Sequence, residues 1–101
     1  MKVYLLPQEL TIYEVGDVHR ELNELVESDP EIQLDASQIE EIDTSGLQLI
    51  LWFSKLSKQY HEHPPLCSLS DVVSDYVRLL NLETHLLAGS DGRSLSENYE
   101  Y

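Results

Sequence analysis

Four consecutive residues, Asp43-Thr44-Ser45-Gly46, bring a carboxylate, two hydroxyls and a glycine together in one short polar knot. Strand-like alternation precedes this quartet and a helical apolar run, Leu47-Gln48-Leu49-Ile50-Leu51, follows it. It therefore falls at the expected start of a helix, where unpaired backbone N–H groups and the positive end of the dipole point outward. A hydroxyl held there is either a helix cap or a regulated site. Nucleophilic catalysis by Ser45 would need an activating base and an oxyanion pocket, and neither a Gly-x-Ser-x-Gly elbow nor a placed histidine accompanies it. With no Gly-x-x-x-x-Gly-Lys loop either, the sequence predicts neither an enzyme nor a nucleotide cofactor.

Two other groups of residues invite a chemical reading. His61-Glu62-His63 offers imidazoles two residues apart, but no third ligand is identifiable and the segment runs into Pro64-Pro65, so these are expected to be solvated loop histidines and no metal is assigned. Cys67 is the single cysteine and cannot form an internal disulfide; in the apolar run Leu66-Cys67-Ser68-Leu69 it is expected to pack in the core.

The elements that must position the quartet follow from periodicity. Val3 to Leu6, a turn at Pro7-Gln8-Glu9, and Leu10-Thr11-Ile12 suggest a strand, a tight reversal and a second strand. From about Glu14, Val15, Val18, Leu22, Leu25 and Val26 recur at helical spacing up to Asp29-Pro30. Glu31-Ile32-Gln33-Leu34 alternates as a strand, and the second helix begins at the quartet, with Leu49, Trp52, Phe53, Leu56 and Tyr60 on one stripe. Trp52 is thus expected in the core rather than in a binding site. Leu66 to Leu69 forms a strand, and Ser70 or Asp71 caps a third helix that buries Val72, Val73, Tyr76, Val77, Leu79 and Leu80. Thr84 to Leu87 is a short strand or irregular packing, and residues 90–101, polar and aperiodic, are expected to be a flexible acidic tail on a domain spanning residues 1–89. Strands alternating with helices after an initial hairpin predict an α/β fold, a mixed β-sheet of about four to five strands with helices packed against it and right-handed crossovers. The carboxyl ends of its parallel strands would gather Asp35 and Asp43 on one edge.

Composition limits the partners. The 101 residues carry 19 acidic against 6 basic side chains, a net charge of −13, which repels phosphate backbones and anionic lipid head groups. Nucleic-acid binding is therefore not expected, and a partner with a basic face is favoured. The longest apolar stretch, Leu47 to Phe53, is far too short for direct membrane insertion, and Pro7 and Glu9 interrupt the apolar start too early for a signal peptide, so a cytoplasmic location is expected.

Across Leu34-Asp35-Ala36-Ser37…Ile42-Asp43-Thr44-Ser45-Gly46-Leu47 the chain resembles the STAS domain family, the anti-sigma-factor antagonists and their relatives. That family shows an apolar strand ending in Asp, a short loop, and an Asp-Ser/Thr-Ser/Ala-Gly-Leu turn that opens a helix. The resemblance extends in element order over about residues 3 to 88, and Pro7-Gln8-Glu9-Leu10-Thr11-Ile12 looks like the family's second strand. It departs at Asn81-Leu82, where the family often has Gly-Leu.

The resemblance implies a protein-binding switch. In the antagonists an anti-sigma kinase phosphorylates the serine that matches Ser45, and a phosphatase restores it. Asp35, Asp43, Thr44, Ser45, Gly46, Leu47 and Gln48 would then form the partner-binding neighbourhood, and the partner would be an anti-sigma-type serine kinase or another signalling kinase or phosphatase. Relatives resembling those of chemotaxis and two-component systems carry Ala at the Ser45 position. This supports the alternative of an unphosphorylated subunit in such a system or in an ABC lipid-transport assembly. A third reading, a small-ligand carrier with a shallow pocket at the sheet edge, ranks below both.

Overall fold

The computed structural model describes residues 2–60 and 62–87. Three parallel strands, β1 (Lys2–Leu5), β3 (Ile32–Ala36) and β5 (Leu66–Leu69), form a sheet in the order β1-β3-β5. A second, two-residue parallel ladder joins β2 (Glu9–Leu10) to β4 (Glu41–Ile42). The helices are α1 (Val15–Ser28), α2 (Thr44–Ser57), α3 (Asp71–Leu79) and the single turn α4 (Glu83–Leu86). The α/β class with five strands stands, but the strand pairing near the amino terminus differs from expectation. β1 and β2 do not form a hairpin; each pairs in parallel with a strand that follows α1, so every ladder among the described residues is parallel.

Alternation along β3 shows how the layers stack. Ile32, Leu34 and Ala36 are buried, whereas Gln33 and Asp35 between them are only half-buried. Successive strand side chains point to opposite faces, so one face of the sheet meets the core and the other is largely open. Register extends the pattern to β1: Tyr4 lies beside Leu34 on the core side, while Val3 and Leu5 lie beside Gln33 and Asp35 and are 52% and 53% exposed. The helices supply the rest of the core through Leu22 of α1, Ile50 and Phe53 of α2, and Val73 and Val77 of α3, all essentially inaccessible to solvent.

Local signals fix the helix ends. In the turn ahead of α1 the Glu14 carboxylate accepts from the Thr11 N–H at 2.9 Å and from its hydroxyl at 2.7 Å, one half of a capping box, while the Glu14 N–H donates to the Thr11 carbonyl. The Ser70 hydroxyl caps α3 by accepting from the Val73 N–H at 3.3 Å. After α3 the chain turns with Asn81 at φ 55°, and the N–H groups of Leu82 and Asn81 donate back to the carbonyls of Val77 and Arg78. This Schellman closure needs a left-handed residue, and asparagine tolerates that conformation where glycine is the commoner choice.

Several expectations about burial are corrected. β5 is an edge strand with a register shift between Leu34 and Asp35, and Cys67 is exposed there rather than packed in the core. Burial and the nearby Asp35 carboxylate both push its thiol pKa up. On α3 only Val73 and Val77 are buried; Tyr76, Leu79 and Leu80 are 38%, 75% and 51% exposed, because the helix is covered along a narrow line only. Tyr60 lies beyond the end of α2 and is half exposed. Thr84 to Leu87, expected as a short strand or irregular packing, fall instead in the single-turn helix α4 (Glu83–Leu86) and its cap Leu87. The expected tail, residues 90–101, and His61 lie outside the described residues.

The Tyr4 hydroxyl donates to Glu21 Oε2 at 3.1 Å and ties β1 to α1. Burial first, then this bond and the Glu21 charge, push its pKa up from 10.0 to about 12. The unfolded chain ionises first, so the contribution is whole below pH 10 and is lost as pH rises through about 12. Denaturant titrations are expected to show stability falling between pH 10 and about 12, with a shallower fall for Tyr4→Phe. Identical slopes for the two proteins would contradict this.

Candidate functional site

The short strand β4 delivers Asp43 to the N-cap of α2 in an extended conformation, φ −120° and ψ −173°. Its carboxylate makes two bonds that define the site. Oδ1 accepts from the Gly46 N–H at 3.1 Å, capping the helix, and Oδ2 accepts from the Ile12 N–H at 3.0 Å, pinning the loop between β2 and α1. The cap of α2 is thus the Asp43 carboxylate, and the cap bond to Gly46 does not come from a hydroxyl.

Gly46 stands where α2 passes closest to the two short strands. A Cβ built on it would lie 2.2 Å from the Leu10 carbonyl oxygen and 2.7 Å from Ile42 Cγ1. The glycine is needed for this approach, which also buries Leu47 beside it. Thr44 and Gln48 are exposed, and Ser45 is half-buried.

Ser45 lines an open groove of about 410 Å³ between α1 and α2. Ile12, Val15 and Leu49 line it with apolar surface, and Gln48, His19 and Trp52 complete it. The His19 and Trp52 rings are in contact across the two helices, with centroids 4.3 Å apart and planes inclined at 44°. Trp52 packs against the core by one side and presents the other to the groove, so it belongs to both, where the sequence had assigned it to the core alone. Among the described residues no carboxylate lines this groove, although the chain carries a net −13. Such a surface, apolar with an aromatic side chain and a few polar groups, has the chemistry of a protein-binding site.

The structure brings Asp43, Thr44, Ser45, Gly46, Leu47 and Gln48 together around the first turn of α2. Asp35 stands apart from them. It lies on β3, accepts from the Ser37 N–H at 2.8 Å, and does not line the groove. Ile12, Val15, Gly16 and His19 were not foreseen as site residues, because they come from α1 and the loop before it, which the Asp43 bond to Ile12 and the His19–Trp52 contact bring to α2. For Trp52 a signal was present: it lies seven residues, two helical turns, beyond Ser45 on the same face.

Among the described residues no group of three or more His, Cys, Asp or Glu side chains could hold a metal, and no helix is long and apolar enough to cross a membrane. A family model described as "Mlab, STAS domain" matches residues 6–89. No curated protein and no solved structure matches the chain.

Proposed function

The chain belongs to the STAS domain family, and on that premise we propose that it is a cytoplasmic protein-binding regulator whose partner docks over the α1–α2 groove and is released by phosphorylation of Ser45. The family's members generally bind and regulate rather than catalyse, and the fold is of the anti-sigma-factor-antagonist type. The observation that carries the proposal is the division of labour at the α2 terminus. Asp43 holds the local structure with both carboxylate oxygens, which leaves Ser45 in the groove without the capping role.

A phosphate on Ser45 adds nearly two negative charges to a groove lined by no carboxylate among the described residues, while the helix terminus tolerates it. Modification would act on binding and leave folding intact. The partner class that fits is an anti-sigma-type serine kinase, or a signalling kinase or phosphatase, with a basic face for this acidic domain.

In a purified pair with such a kinase, Ser45→Asp is expected to weaken the complex by about tenfold or more, with Ser45→Ala binding constitutively and both melting like the parent. Equal affinities for the two variants would sink the charge switch. The apolar floor and Trp52 also favour a second reading, a permanent unphosphorylated subunit of a two-component, chemotaxis or ABC lipid-transport assembly. That reading requires persistent co-purification and no phosphate on Ser45 under any growth condition.

A further inference from the structure

α1 carries a different surface on its other flank. There Glu14, Asp17 and Glu21 face β1 across a cleft of about 590 Å³ that Tyr4, Leu5 and Tyr13 also line. β1 is the edge of its sheet and pairs with β3 alone among the described residues. Lys2 and Leu6 donate their N–H groups inward, to the carbonyls of Glu31 and Asp35. The intervening positions, Val3 and Leu5, therefore turn their N–H and C=O groups to the outer edge. Their side chains lie on the open face of the sheet, more than half exposed, and Tyr13 beside the cleft is 88% exposed.

Sheets with parallel ladders are ordinarily covered on both faces, and edges are ordinarily blocked by charge, proline or an overlying segment. β1 has an acidic cleft on one side, an apolar stripe on the other and open backbone groups between them. We propose that β1 is a docking edge that receives, as an added strand, an extended segment of a partner protein in which Lys or Arg alternates with apolar residues. Alternate side chains of that segment reach the Glu21 carboxylate on the α1 side and compete with Arg20 for its ion-pair partner Asp17, and the residues between them extend the Val3–Leu5 stripe. The net charge of −13 favours a basic segment in the encounter. It also disfavours a second copy of this chain, since pairing two β1 edges would bring the same carboxylates together. The surface is separate from the Ser45 groove, and the inference does not rest on it.

The probes are three labelled ten-residue peptides: alternating Val-Lys, alternating Val-Glu, and a block peptide of five Val then five Lys. Fluorescence anisotropy with the full chain is expected to show saturable binding of alternating Val-Lys, about tenfold or more tighter than either other peptide. The amide resonances of Val3 and Leu5 are expected to shift on its addition, and Glu21→Lys to weaken it about tenfold. Val3→Pro removes an outward N–H and no β3 bond, so it is expected to keep the fold and abolish binding. Equal binding of the block peptide, unmoved Val3 and Leu5 amides, or no saturable binding would overturn the proposal. A concentration-dependent dimer that Val3→Pro dissociates would overturn it in favour of a second copy.

Discussion

The Gly46→Ala protein is expected to lose about 3 kcal/mol of stability, the upper end of what overpacking by one methyl costs. The obstacle is the Leu10 carbonyl oxygen, 2.2 Å from the new Cβ, and backbone cannot rotate away as a side chain would. Relief requires β2 to move off α2, yet β2 is held by its ladder to β4 and by the fully buried Leu10. Intrinsic propensity acts in the opposite direction, since alanine is about 1 kcal/mol better than glycine within a helix. A net loss therefore measures the close approach itself. Gly16 is the control: a Cβ there meets nothing within 4 Å, so Gly16→Ala is expected to leave stability unchanged or raise it by up to about 1 kcal/mol. Urea midpoints for the two variants check the pair, and similar midpoints would refute the account of Gly46.

Asp43→Ala is expected to cost about 2 to 3 kcal/mol, combining a helix cap of about 1 kcal/mol with a charge-assisted bond of about 1.5 kcal/mol or more. The two losses fall on different elements. Without Oδ1 the first turn of α2 frays, and without Oδ2 the loop carrying Ile12 is no longer pinned beside it. Asp43→Asn separates them: the amide keeps one oxygen for the Gly46 N–H but cannot accept from Ile12 with its NH2 group. About half the loss is expected for Asn, with hydrogen exchange increased at Ile12 more than at Gly46. Equal exchange at both sites in the Asn variant would contradict the assignment of one oxygen to each.

The helices were legible because their periods were. Val18, Leu22 and Val26 on α1 and Leu49, Ile50 and Phe53 on α2 are buried where helical spacing placed them, and Ser70 caps α3. Thr11-x-x-Glu14 was an unread signal, a capping-box pattern in plain sequence that begins the turn ahead of α1. Strand pairing was not legible. Pro7-Gln8-Glu9 has turn chemistry, but turn residues do not say whether the next segment folds back or moves on, and the true partners of β1 and β2 lie beyond α1. Exposure failed where period outran cover. The stripe of α3 continues to Leu79 and Leu80, past the part of the helix that meets the core. At the site, α2's contribution could be read from one contiguous run, whereas the half supplied by α1 and Ile12 depends on packing between helices.

The parallel ladders bear on how the domain forms in time. Lys2 meets Ile32 and Leu34 meets Leu66, partners separated by about thirty residues, and among the described residues no pair of neighbouring strands closes a local hairpin. Loop-closure entropy must therefore be met before any strand contact returns stability, which slows folding relative to a hairpin-rich chain of the same size. During synthesis β1 emerges before β3, its strand partner among the described residues, and must wait until β3 has left the ribosome. At about 5 to 20 residues per second that interval lasts seconds. Through it, Val-Tyr-Leu-Leu at residues 3–6 is an unpaired β-prone segment whose protection from misassociation rests on the acidic helix synthesised just after it.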